Sequence, residues 1–109
     1  MTRAVFFIDS GSLVGFDVSG HTDNNGSDEA RLVCAAVSSA VYMAVNTITD
    51  VVGCKADISA EDGHLKCMLS SDISRAQDMM RGLRMHLEGL EEQYSTFIEI
   101  IITEVQHDA

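Results

Sequence analysis

Between Ala30 and Thr49 apolar residues recur at three- and four-residue spacing: Leu32, Val33, Ala36, Val37, Ala40, Val41, Ala44, Val45 and Ile48. That period predicts an α-helix. Its apolar sector is wide and rich in alanine, so the helix is expected to be mostly buried and closely packed. The apolar stretch from Leu32 to Val52 is broken by Ser38, Ser39, Asn46, Thr47, Thr49 and Asp50, and reads as a core helix that falls short of a membrane span.

The flanks read as strands. Val5–Ile8 is a short run of β-formers, and Asp9-Ser10-Gly11-Ser12 after it is turn chemistry. Leu13–Ser19 alternates, with Val14, Phe16 and Val18 on one face, so the two runs predict a hairpin. Two further strands are predicted at Cys54–Ser59 and His64–Leu69, joined by Glu61-Asp62-Gly63. Ser71 or Asp72 is expected to cap a second helix reaching about Leu90. Its inner stripe is Ala76, Met80, Leu83, Leu87 and Leu90; Arg75, Asp78, Arg81 and Glu88 form its wet face. Phe97–Val105 reads as a last strand with Ile98, Ile100 and Ile102 toward the helices. The order ββαββα-β predicts one α+β domain over residues 1–109: a mainly antiparallel sheet of about five strands with two helices on one face.

The net charge of -10 is large for 109 residues. It repels phosphate backbones, which argues against direct nucleic-acid binding, and it attracts basic partners. An acidic surface also serves solubility alone. Three cysteines, Cys34, Cys54 and Cys67, with no C-x-x-C pair, fit neither a disulfide framework nor a zinc knuckle. Reduced thiols point to the cytoplasm. The N-terminal apolar run is too short for a signal peptide. No cofactor or metal is expected; a site from His21, Asp23, Asp28 and Cys34 has no ligand spacing to recommend it.

Chemistry concentrates between Gly20 and Ser38. His21 follows the end of a strand in the loop Gly20-His21-Thr22-Asp23-Asn24-Asn25-Gly26, and Cys34 falls in the first turn or so of the long helix. A thiol is a good nucleophile only as thiolate. A helix N-terminus favours that anion, and an imidazole can take the proton and return it to a leaving amine. Free helix N–H groups could hold an oxyanion, with Ala35 and Ala36 leaving the backbone open. Gly20 and Gly26 let the loop fold close to the helix. Cysteine on a buried helix is more often a packing residue, so residue type alone favours core over nucleophile for Cys34. Cys54 and Cys67 read as core, and His64, His86 and His107 as surface groups. Only His64 would be a substitute base.

Gly20-His21, then Gly26, then Val33-Cys34-Ala35-Ala36-Val37-Ser38 resembles the signature of the ribosomal-processing cysteine protease (Prp) family: Gly-His, a short loop with Gly and Asp, then Cys-Ala-(Ala/Gly)-x-Ser opening a helix. Length and element order resemble the family throughout. The resemblance implies a cytoplasmic, homodimeric cysteine endopeptidase that removes the N-terminal extension of ribosomal large-subunit protein twenty-seven during ribosome assembly. It implies His21 as general base and Cys34 as nucleophile, with Gly20, Gly26, Ala35 and Ser38 near the substrate. The wide apolar sector of the first helix is compatible with a dimer. The implied partner is the precursor of a basic ribosomal protein, with neither nucleic acid nor membrane required. One position departs: where the family carries Asp three residues before the Cys, this chain has Arg31, and Gly26-Ser27-Asp28 supplies a Gly-x-Asp earlier. Asp28 either orients His21 or caps the helix. The GHTDNNG loop is expected to act as a lid over Cys34. The competing reading is a non-catalytic acidic module that docks on basic ribosomal proteins, with Cys34 as packing.

Overall fold

The computed structural model describes residues 1–20 and 27–107. Its elements are β1 (Thr2–Asp9), β2 (Ser12–Ser19), α1 (Asp28–Asn46), β3 (Ala56–Glu61), β4 (His64–Leu69), α2 (Gln77–Gln93) and β5 (Ile98–Glu104). A π-helical turn, Thr47–Val52, prolongs α1, and a 3-10 turn, Ile73–Ala76, leads into α2. The strands form one sheet in the order β3-β4-β2-β1-β5.

The β1–β2 turn is made by Ser10 and Gly11, both at positive φ (52° and 82°). Two such residues give the turn whose twist matches a hairpin. Phe7 then pairs with Gly15 and Ile8 with Leu13, leaving Val14 as a bulge. The bulge lets Leu13 and Phe16 both turn inward, and both are buried. All neighbouring strands are antiparallel except β1 and β5, which run parallel. The sheet is therefore mixed, because α2 carries the chain across it to the far edge, the kind of connection a parallel pair requires.

Both helices lie on one face. Val33, Val37, Val41, Ala44 and Ile48 of the first, with Met80, Leu83 and Leu87 of the second, close over Ala4, Phe6, Leu13, Phe16, Leu65, Cys67 and Ile98. Phe6 and Phe16 meet at 6.0 Å between ring centroids. Ile98 is buried as expected, but Ile102, paired with Phe6 toward the end of β5, is exposed.

Several boundaries differ from expectation for local reasons. Ser27 caps α1, its Oγ accepting from the Ala30 N–H at 3.2 Å. Asp28 is the first helical residue instead of the cap, and pairs with Arg31 at 3.7 Å. Asp28 and Glu29 complement the helix dipole, which carries the helix start ahead of Ala30. Its far end closes on Gly53 (φ 85°), with the Cys54 N–H donating to the Ile48 carbonyl at 2.9 Å. Cys54 thus completes a helix cap, and β3 starts only at Ala56. With its π turn the helix spans Asp28–Val52, long and apolar enough by length and composition to cross a bilayer. The polar interruptions at Ser38, Ser39, Asn46, Thr47, Thr49 and Asp50 thus do not take the stretch below that measure, which core helices also meet; here one of its sides packs on the sheet. Before α2, neither Ser71 nor Asp72 caps through its side chain. Asp72 sits at φ 53° and its carbonyl accepts from the Arg75 N–H.

Candidate active-site cleft

One side of α1 stays uncovered by α2. Cys34, Val37, Ser38, Val41 and Tyr42 share that side at helical spacing and wall a narrow cleft of about 100 Å³. The opposite wall is the end of the sheet: Thr2, Val18 and Gly20 with Glu61, Gly63, His64 and Leu65. Cys34 is half-buried, forms no disulfide and lines this cleft.

The other two thiols are placed differently. Cys67 is fully buried beneath the helices, and burial pushes its pKa up to about 11. Cys54 is buried with its Sγ toward the Asp72 carbonyl at 3.5 Å. Both are core residues, as their strand-like patterns suggested.

The helix start bears on how Cys34 can be activated. With Ser27 as cap, Cys34 is the seventh residue of α1, roughly 9 Å along the axis from the first. The unsatisfied N–H groups of a helix are confined to its first turn, and the dipole's influence fades over the same distance. The expected placement of Cys34 in the first turn is therefore corrected. Neither thiolate stabilisation nor an oxyanion site follows from this helix terminus.

Gly20 follows the end of β2 and lines the cleft. Its N–H donates to the Gly63 carbonyl at 3.0 Å, and a Cβ on it would stand 2.8 Å from the Thr2 Cα. Its role is close packing at the point where the chain enters the His21 segment. Ser38 is exposed and lines the cleft one turn beyond Cys34. Ala35 is exposed and does not line the cleft, because it sits about 100° around the helix from Cys34. His21, Gly26 and the expected lid, with Thr22 to Asn25, lie outside the described residues.

His64 was the substitute base. Its neighbour Leu65 is buried under the helices, so by strand alternation the His64 side chain faces the other way. There its Nε2 meets Asp17 Oδ1 at 2.5 Å. That engagement directs the ring toward the open face of the sheet. Sequence reasoning missed Thr2, Val18, Val41, Tyr42, Glu61, Gly63 and Leu65 as cleft residues. Val41 and Tyr42 were findable, standing seven and eight residues beyond Cys34 on one helical side; the sheet wall depends on tertiary pairing. Among the described residues no cluster of His, Cys, Asp and Glu could hold a metal ion.

Comparison with known proteins places this geometry. The family model described as cysteine protease Prp matches residues 1–99. No curated protein matches. The crystal structure of SMU.848 from Streptococcus mutans is 24% identical and superposes with a TM-score of 0.85, covering 96% of each chain. The ribosomal processing protease Prp of S. aureus, solved in complex with a substrate peptide, is 22% identical with a TM-score of 0.86, covering 94% of this chain and all of its own. The same protease with a covalently linked product peptide gives 23% and 0.83. The two-helix, five-strand architecture is shared with these structures, and with the family model spanning nearly its whole length the chain belongs to the cysteine protease Prp family.

Proposed function

We propose that this chain is the endopeptidase that trims the N-terminal extension from ribosomal large-subunit protein twenty-seven, with Cys34 as nucleophile and His21 as its base. The observation that carries this reading is the contrast among the three cysteines: Cys34 alone opens on a cleft, while Cys54 and Cys67 are buried. Gly20, which lines that cleft, leads directly into His21 in sequence. The S. aureus relative was crystallised with a substrate peptide and with a covalently linked product peptide.

In this mechanism the His21 imidazole takes the Cys34 proton, and the thiolate attacks the scissile carbonyl carbon. Collapse of the tetrahedral intermediate breaks the C–N bond, and the imidazolium protonates the departing amine. A thioester to Cys34 remains. Water, deprotonated by His21, then attacks it, releasing the carboxylate product and regenerating the thiol. The Ser38 hydroxyl, on the same helical side as Cys34, is a hydrogen-bonding group for the bound peptide main chain. Asp28, exposed on the first turn of α1, serves the helix dipole; a part in orienting His21 rests on the family resemblance alone. The -10 net charge draws in a basic precursor, and free thiols suit a cytoplasmic enzyme.

We place a homodimer contact on the helical layer. Ala36, Ala40 and Met43 of α1 with Met79, Gly82 and Leu83 of α2 line an apolar groove, beside which Leu32 and Met85 stand exposed.

The test is incubation with the purified precursor, read by intact mass. Wild type should release the extension, and Cys34→Ala and His21→Ala should each lose at least about a thousandfold in rate. Binding without cleavage by the wild type would leave an acidic docking module instead.

A further inference from the structure

A single row of residues, one from each strand, crosses the sheet at the end where β2 finishes. Glu61 pairs with His64, His64 with Ser19, Ser19 with Arg3, and Arg3 with Glu99. Directly opposed residues stand on one face. Leu65 and Ala4, next to His64 and Arg3, are buried under the helices, so the row lies on the open face. A second cleft, of about 320 Å³, lies over the middle of it, lined by Arg3, Ser19 and His64 with Met1 and Asp62, while Glu61 at the row's end lines the Cys34 cleft. It shares Gly20, Gly63 and His64 with the cleft that holds Cys34. The joined Gly20 and Gly63 form a saddle between the two, and with no Cβ on either, little rises to block an extended peptide crossing it.

The charges here are unequal. Arg3 is taken up by Glu99 at 3.4 Å and His64 by Asp17. Among the described residues Glu61 and Asp62 have no partner. We infer that this second cleft continues the peptide groove and that a lysine or arginine side chain of the substrate, where the peptide crosses the saddle, is held between the Glu61 carboxylate on the Cys34 side and the Asp62 carboxylate on the other. The inference rests on the peptidase reading above and adds a specificity site to it.

Three peptides spanning the precursor's processing junction test it: one with neutral flanks, and one each with lysines on the N-terminal or the C-terminal side, within about six residues of the junction, the reach of a short extended segment. At low salt one lysine peptide should be cut with a kcat/KM about fivefold above the neutral peptide, the size expected for exposed ion pairs. The gain should lie in KM, disappear in the Glu61→Gln/Asp62→Asn double variant, and fade at about 0.5 M salt. The Cys34→Ala chain should show the same preference in binding. A preference that survives the double variant, or no lysine preference in either peptide, overturns the subsite while the peptidase reading stands. If wild type cuts none of the three peptides and also leaves the precursor intact, both fall.

Discussion

Gly20 and Gly63 are locked together: the Gly20 N–H donates to the Gly63 carbonyl at 3.0 Å, and a Cβ on Gly63 would stand 2.9 Å from the Gly20 carbonyl oxygen. The contact joins the end of β2 to the β3–β4 turn at the rim of the Cys34 cleft. Gly63 also sits at φ 75°, where a side chain is strained. Gly63→Ala should therefore destabilise the fold by about 1–3 kcal/mol. Gly20→Ala meets the Thr2 main chain at 2.8 Å and must displace the strand end that leads into His21. Its cleavage rate should fall by more than its stability accounts for. Thermal unfolding alongside single-turnover cleavage checks both, and wild-type behaviour of Gly20→Ala would remove the saddle from the site.

Thiol reactivity separates the three cysteines. Cys67 has no access, and burial raises its pKa to about 11, so at neutral pH almost none of it is thiolate. Cys54 is buried against the Asp72 carbonyl. Iodoacetamide at pH 7 should label Cys34 at least tenfold faster than either, and His21→Ala should slow that labelling if the imidazole draws off its proton. Peptide mapping after timed quenching reads the order. Equal rates at all three would mean local opening controls access, and the nucleophile assignment would lose its support.

Gln77 ties the start of α2 to the β2 bulge. Its Oε1 accepts from the Leu13 N–H and its Nε2 donates to the Leu13 carbonyl, both at 2.8 Å, with a third bond to the Ile73 carbonyl at 2.9 Å. The side-chain amide substitutes for a strand partner on the β4 side of Leu13, where the β2–β4 pairing begins only at Gly15. Gln77→Ala leaves those main-chain groups part-buried and unpaired, and should cost about 2–3 kcal/mol in chemical denaturation. Gln77→Glu keeps the acceptor but loses the donor, and should fall between the two.

Much of this arrangement was legible from residue patterns because local chemistry and the tertiary fold agree. The 3.6-residue period of α1, the Ser10-Gly11 turn and the alternation in β4 each have one physical solution. Three things were not legible. Ser27 outcompeted Ala30 as the helix start because a hydroxyl cap and two acids act together, and that shift moved Cys34 out of the first turn. Cys54 looked like a strand residue, yet Gly53 at positive φ turned it into a helix cap. The Leu13–Gln77 pairing spans 64 residues and leaves no local trace.

Asp9 offers a pH prediction with a defined sign. His107 lies 2.9 Å from its carboxylate, and the hydrogen bond from that ring holds the Asp9 pKa below the ordinary 3.8. A depressed carboxyl pKa contributes stability above the unfolded value and loses it as pH falls through the folded one. The pair lies at the surface with Asp9 partly exposed, so the global effect is slight. Carboxyl NMR should show Asp9 titrating below the reference, and His107→Ala should return it upward. No upward shift would mean the pair is not formed in solution.

The proposed dimer face makes opposite demands on one residue. Gly82 lies inside α2, where glycine costs about 0.5–1 kcal/mol relative to alanine, and a Cβ there would meet nothing within 4 Å in the single chain. For the isolated chain Gly82→Ala should therefore stabilise by about that amount. If the groove between Met43 and Met79 receives a second copy, the same methyl group intrudes on a close helix contact and dimerisation weakens. Met43→Glu, on an exposed side chain lining the groove, should leave only monomer. Each chain carries -10, so association should strengthen as salt screens the repulsion. Sedimentation velocity on wild type and both variants, at low and high salt, reads all of this. A wild-type dimer that tolerates Gly82→Ala and Met43→Glu would put the contact on another face; a single species of about 12 kDa for wild type at micromolar concentration would dispose of the dimer, because this groove would then be solvent-facing in the working enzyme.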